Sequence, residues 1–211
     1  MKIYLFLFDI CESLKFPAGN VLSRIRFIKA IPYIWYLLIS WIENVIVAKA
    51  GIQHCSLNKS HREESIIASL TTYPARINTV HLTIQTIFMQ TMRPDRIVLW
   101  LAEEQFPDKQ LPDGLLQLQK QGLDIRFCED YRSHKKYFLA LQEQNESEIV
   151  ITFDDDILYD PHTIERAYLK HRENPRAVIV NQAMIPLISD DGEIEPYSNW
   201  IEVNSKNFHQ Q

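Results

Sequence analysis

The sequence predicts an α/β fold, a mostly parallel sheet with helices on both faces, preceded by an apolar helical segment near the amino terminus. Three observations carry this reading. From about Ser65 onward, short apolar runs alternate with stretches of helical periodicity, and repeated strand–helix units fold as a parallel sheet covered on both sides. The runs Ile66-Ile67-Ala68-Ser69-Leu70 and Ile97-Val98-Leu99-Trp100-Leu101 are apolar almost throughout, as strands buried on both faces are. Finally, three adjacent acids, Asp154-Asp155-Asp156, close the apolar run Ile149-Val150-Ile151-Thr152-Phe153, and open α/β sheets bind ligands at the carboxyl ends of their strands.

The elements follow in order. After the strand at Ile66–Leu70 comes a loop, then Val80, Ile84, Ile87 and Phe88 at helical spacing, starting behind Asn78 or Thr79 and stopping before Pro94. Arg96–Leu101 is the second strand. A short helix over 114–121 stops at Gly122, a residue suited to the left-handed helix terminus. Ile125-Arg126-Phe127 reads as a third strand, and 134–144 as a helix turning Phe138 and Leu141 inward. The strand ending in the aspartates is the fourth. Asp160-Pro161 reads as N-cap and first residue of a helix that runs to Glu173 and is stopped by Asn174-Pro175. A strand over 177–180 and a hairpin over 185–197, with Asp191-Gly192 at its turn, complete the chain. No internal repeat is present.

Residues 1–50 differ from the domain expected over 65–211. Met1–Phe8 is apolar but is cut short by Asp9, which makes a poor signal peptide. Ala30–Ala48 is apolar except for Ser40, Glu43 and Asn44. It is near the minimum spanning length, and Glu43 is costly in hydrocarbon. Tyr36, Ser40 and Glu43 align on one helical stripe, while Tyr33, Trp35, Tyr36 and Trp41 suit headgroup depth, and Arg24, Arg26 and Lys29 suit anionic lipid. Three readings stand for this helix: interfacial, spanning, or buried on the domain.

Composition narrows the function. The 211 residues, 46% hydrophobic and 23% charged, are those of a globular protein, and a net charge of −5 argues against a general nucleic-acid binder. Cys11, Cys55 and Cys128 have no paired spacing and indicate neither a zinc site nor a disulfide framework. The sequons at Asn58 and Asn145 are read as chance. Gly19, Gly51, Gly114, Gly122 and Gly192 are too far apart for a dinucleotide-binding or P-loop motif. A bound nucleotide would therefore need a metal against its diphosphate charge.

The aspartates supply the place for one. Adjacent carboxylates at a strand end need a counter-charge, and Mg²⁺ or Mn²⁺ commonly joins one or two carboxylates to substrate phosphates. The plain alternative is a solvated turn before the next helix. Four loops share this rim: Thr71-Thr72-Tyr73-Pro74-Ala75-Arg76, the loop with Glu103 and Glu104, the segment with Asp130, His134, Lys135 and Lys136, and the aspartates. Tyr73 is a base-stacking platform or a packed loop aromatic. Arg76 binds phosphate bidentately or pairs with a neighbouring acid. Lys135 and Lys136 are ligand contacts or solvated helix positions, and Glu103 and Glu104 read as surface charges. The seven histidines show no HExxH-type spacing.

The strings Ala68–Ile77, Gln90–Leu101 and Thr152–Tyr159, with Ser133-His134-Lys135-Lys136 before the last, resemble bacterial glycosyltransferases of the GT-A fold from surface-polysaccharide loci. The resemblance covers roughly residues 65–200. It implies a Rossmann-like GT-A domain that binds a nucleotide-sugar donor and transfers the sugar to a saccharide or lipid-linked acceptor. It also implies a DxD metal motif holding Mn²⁺ or Mg²⁺ through Asp154 and Asp156. Thr71, Tyr73, Arg76, Lys135, Asp154 and Asp155 would lie at the nucleotide sugar. The enzyme would work at a membrane surface, on the cytoplasmic face of the bacterial inner membrane, with no nucleic-acid partner. Family members usually continue into an acceptor-binding half, and this sequence stops at Gln211. The expectation is thus a chain that binds donor better than it transfers sugar, and no catalytic base is nominated. A truncated, donor-binding but inactive remnant and a metal-dependent phosphoryl-transfer enzyme are the alternatives.

Overall fold

Residues 30–203 are described by a computed structural model, with side chains described from residue 38. The expectations for Met1–Phe8, for Arg24, Arg26 and Lys29, and for the rings of Tyr33, Trp35 and Tyr36 lie outside the described residues. The chain divides into a unit ending at Glu165 and a unit beginning at Arg166.

In the first unit the element order is α1 (Ala30–Ala50), β1 (Ser65–Thr71), α2 (Val80–Phe88), β2 (Arg96–Ala102), α3 (Asp113–Lys120), β3 (Leu123–Cys128), α4 (Lys135–Glu143) and β4 (Glu148–Phe153). The four strands are parallel, in the order β3-β2-β1-β4. Since βαβ crossovers are right-handed, α2 and α3 cover one face as the chain steps outward to β3, and α4 covers the other as it returns to β4. β1 and β2 are buried nearly end to end, as their unbroken apolar runs require. On the α4 side, Ile67, Val98 and Trp100 form a buried cluster, with Cys128, Leu139 and Val150 packed against it.

At the amino-terminal ends of the strands Asp95 gathers several donors. Its Oδ2 accepts the Ile66 amide at 2.7 Å and faces the Arg62 guanidinium at 3.3 Å, while its Oδ1 accepts Asn58 Nδ2 at 2.6 Å. The asparagine of the first sequon is thus used to tie a loop to the start of β1.

Helix α4 departs from expectation. Phe138 and Leu141 are exposed, whereas Lys135 and Ala140 are buried and Leu139 packs on the sheet cluster. Hydrophobicity alone suggested the wrong arc. The charge of Lys135 finds an acid within the fold (below), small Ala140 lets the helix sit close to the sheet, and Phe138 packs on Tyr131 with ring centroids 5.2 Å apart.

Helix α1 packs against α2, burying Ile39, Glu43 and Val47 at i, i+4 and i+8. Glu43 therefore lies on the inward stripe, and Trp41 is 63% exposed. From residue 38 one stripe of the helix rests on the domain. Among the described residues no helix is long and apolar enough to cross a membrane.

α5 (Thr163–Glu173) starts two residues later than Pro161. Asp160 acts one turn upstream, where its Oδ1 accepts the His162 amide at 2.8 Å and its carbonyl accepts the Thr163 amide at 3.0 Å. In the second unit β5 (Met184–Ile185) pairs antiparallel with β6 (Ile201–Glu202). An Ile188–Ile194 bridge and a turn with Gly192 at φ 85° complete the expected hairpin. Residues 177–180 form no strand, and Val178 and Val180 are exposed. Their β-branched composition is a preference for half-buried pleated surface, and it decides nothing where no neighbouring strand covers them.

Candidate functional site

The strand order reverses between β1 and β4, and open α/β sheets bind ligands at such a switch point. The β1–β4 ladder ends at Leu70↔Phe153. One step further, Thr71 and Thr72 come beside Asp154 and Asp155. A cavity of about 580 Å³ opens there, bounded by the loops after all four strands.

Within the triple carboxylate the three side chains have different surroundings. Asp155 is 9% exposed and both of its oxygens are engaged: Thr72 Oγ1 donates to Oδ2 at 2.6 Å and Arg76 Nη1 donates to Oδ1 at 2.7 Å. Asp154 and Asp156 stand at the rim, with side chains 57% and 48% exposed. Lys136 Nζ meets Asp154 Oδ1 at 2.5 Å, and Arg76 Nη2 meets Asp156 Oδ2 at 2.9 Å. Arg76 thus spans two acids, and the Asp155 hydrogen bond, with both acid charges, raises its already high pKa. Its guanidinium also lies 5.3 Å from the centre of the Tyr73 ring. The counter-charge that adjacent acids require is supplied here by side chains of the same rim.

The backbone under the acids is held by α2 and by Gln90 just beyond its end. Thr83 Oγ1 donates to the Asp155 carbonyl at 3.1 Å, and Thr86 Oγ1 accepts the Tyr159 amide at 3.1 Å. Gln90 Nε2 donates to the Asp160 carbonyl at 2.8 Å, while its Oε1 accepts the Ile164 amide at 3.0 Å. Tyr159 packs edge-on against Phe153, and its hydroxyl oxygen accepts the Asp154 amide at 2.7 Å. Burial pushes this phenol well above its usual range, so it stays protonated.

The facing wall comes from the β3–α4 connection. Ser69 Oγ accepts Trp100 Nε1 at 3.0 Å and donates to the Lys136 carbonyl at 2.5 Å, fixing the first turn of α4 on the sheet. Asp130 accepts Lys135 Nζ at 2.5 Å and the Arg132 amide at 2.8 Å on Oδ1, and Gln105 Nε2 at 2.8 Å on Oδ2. The Lys135 hydrogen bond holds the Asp130 carboxyl below its usual range. Arg132 takes φ 52°, a left-handed conformation rare for a side-chain-bearing residue.

The sequence matches no protein-family model and no curated protein.

Every residue expected at the nucleotide sugar or the metal lines this one cavity: Thr71, Tyr73, Arg76, Lys135, Asp154, Asp155 and Asp156. Their environments differ. Thr71 Oγ1 is turned to the Trp100 carbonyl at 2.8 Å. Lys135, read as either a ligand contact or a solvated helix position, is buried and paired with Asp130. Tyr73 is 44% exposed, an open ring at the mouth. Sequence reasoning missed Gln105 and Arg132. The Asp130-x-Arg132 spacing, which lets a carboxylate accept the amide two residues on, was the one local signal for the second. Glu103 is on the surface as expected, paired with Lys109 at 3.1 Å.

Could the rim hold a divalent cation? Among the described residues no group of three or more His, Cys, Asp or Glu side chains is arranged to hold a metal. A protein cage is therefore not what the site offers. It does offer two exposed carboxylates, hard oxygen donors beside open cavity volume, and Mg²⁺ commonly takes one or two carboxylates and completes its shell with water and phosphate. A metal here would have to be completed by water and a phosphate ligand, and would take the two carboxylates from Lys136 and Arg76.

Proposed function

We propose that this chain binds a nucleotide sugar at the switch-point cavity and acts as a metal-dependent glycosyltransferase toward a saccharide or lipid-linked acceptor. The observation that carries the reading is one cavity that joins an exposed aromatic ring, basic side chains and two exposed carboxylates. Its size is within the range of small-molecule sites. Tyr73 supplies a face for the base. Arg76 and Lys136 supply cations for the diphosphate, whose developing charge is what the departing group must have stabilised. Asp154 and Asp156 would hold Mn²⁺ or Mg²⁺. Bound there, the metal would supply Lewis acidity toward the diphosphate oxygens. Asp155 keeps the acidic loop in place from beneath, through Thr72 and Arg76.

Calorimetric titration with uridine and guanosine diphosphates tests this. Mn²⁺ should strengthen binding of one of them by about tenfold or more relative to EDTA. Asp156→Asn should remove that gain while leaving the melting temperature near wild type, because its carboxylate is half exposed. A wild-type chain that gains nothing from Mn²⁺ would refute the reading.

A further inference from the structure

Four basic side chains line the cavity: Arg76, Arg132, Lys135 and Lys136. Three of them are already matched. Arg76 spans Asp155 and Asp156, Lys135 is buried on Asp130, and Lys136 meets Asp154. Arg132 has no acidic partner among the described residues. It is also the only one of the four whose backbone is left-handed, at φ 52°, a conformation that glycine adopts freely and that costs other residues free energy. The turn that imposes it is built from inside. Asp130 Oδ1 accepts the Arg132 amide at 2.8 Å, and the same carboxylate is fixed by Lys135 at 2.5 Å and by Gln105 at 2.8 Å. Lys135 is almost wholly buried. A buried charge pair has thus been placed beneath a strained turn whose outward product is an unmatched guanidinium lining a cavity.

We infer that Arg132 is the anion-binding residue of a metal-independent oxyanion subsite for a phosphate-type group, and that the Lys135–Asp130 pair is the positioning device that presents it. A planar guanidinium binds such a group bidentately. Unlike Arg76 and Lys136, Arg132 can do so without giving up an ion pair. Ser133, the next residue, lines the same cavity. The subsite deepens the donor-binding proposal by separating two ways of meeting phosphate charge, the carboxylates through a metal and Arg132 directly. It does not need that proposal, since an oxyanion is held there whatever it is attached to.

The test is calorimetric titration of the full chain with inorganic pyrophosphate in EDTA, alongside thermal melting. Wild type should bind. Arg132→Gly should lower the affinity about tenfold or more, yet melt at or above wild type, because glycine relieves the left-handed backbone. Arg132→Asn, which tolerates that conformation, should bind as weakly as the glycine variant. Lys59→Ala removes an exposed charge elsewhere and should bind within about twofold of wild type, which excludes a mere net-charge effect. Lys135→Met should weaken pyrophosphate binding with Arg132 still present, and should add little in the Arg132→Gly background. The inference is overturned by wild type that does not bind pyrophosphate without metal, by Arg132→Gly that binds as wild type does, or by Arg132→Gly that melts well below it. The first of these outcomes leaves the Mn²⁺-dependent nucleotide titration intact, so the two readings fail separately.

Discussion

Replacing Thr72 by valine isolates the bond that sets Asp155 apart from its neighbours. The change keeps the β-branched shape and nearly the volume, but puts a methyl group where a hydroxyl now donates to Asp155 Oδ2 at 2.6 Å. Donor and acceptor are both buried, at 3% and 9% exposure. A hydrogen bond to a charged acceptor contributes about 1.5–3 kcal/mol, and a buried carboxylate oxygen left without a donor keeps its desolvation cost. Asp155 retains Arg76 on its other oxygen, which places the expected loss in the lower half of that range, about 2 kcal/mol. For a chain of this size that lowers the melting temperature by about 4–8 °C. Thermal unfolding followed by circular dichroism measures it. Thr152→Val serves as control: Thr152 is exposed on β4, and valine suits a strand at least as well. If Thr72→Val and Thr152→Val melt together near wild type, the hydroxyl does not hold Asp155, and the division of the triplet into an anchoring acid and two rim acids is wrong.

Two further outcomes follow from the scaffold around the site. Asp95→Ala should cost about 2 kcal/mol in urea denaturation with an unchanged slope, since it strands the Ile66 amide at the start of β1, while the Asn58 amide keeps the Ser60 carbonyl. His81 has its pKa lowered by burial, close against Gly114, where an added Cβ would come within 2.8 Å of the imidazole. Its folded pKa lies below the unfolded value of about 6.5, so the unfolded chain binds more protons as pH falls. Its contribution to stability is complete above that value and is lost as pH drops through the folded pKa. His81→Gln should flatten the decline in stability between about pH 7 and 5 relative to wild type, measured by denaturant midpoints across that range.

The strands were legible because β1 and β2 are apolar runs buried on both faces, and such a run has few other places to go. The acids at the end of β4 were legible for a related reason, since charge clustered at the end of a buried strand has to be met by something. What met it was legible only in part, since pairing with a neighbouring acid was one of two readings for Arg76. Thr72 and Arg76 reach Asp155 only because the parallel register of β1 and β4 sets their following loops side by side, and register is a property of the assembled sheet. The inward face of α4 was misread because Lys135 looks like a solvent residue until Asp130 and Gln105 are placed around it. Residues 177–180 show the converse, a β-branched run with no sheet beside it. Arg132 escaped notice because its significance lies in a backbone angle and in the lack of an acidic partner among the described residues, neither of which is written in residue order.

The rim has two electrostatic layers that differ in how readily they can change. Thr72–Asp155 and Lys135–Asp130 are largely removed from water, and breaking either leaves a buried polar group unmatched. Arg76–Asp156 and Lys136–Asp154 are exposed ion pairs, of a kind that contributes little to stability because water and salt compete for both partners. An outer layer held this loosely suits a site that must exchange partners. In the proposed function the rim cations turn to the diphosphate while Asp154 and Asp156 turn to a metal, and the inner layer keeps the loops from following. The same division explains why one acid of the triplet should be tested by stability and the other two by ligand affinity. Three consecutive carboxylates look equivalent in the sequence, but Thr72 and the fold beneath it have already committed the middle one.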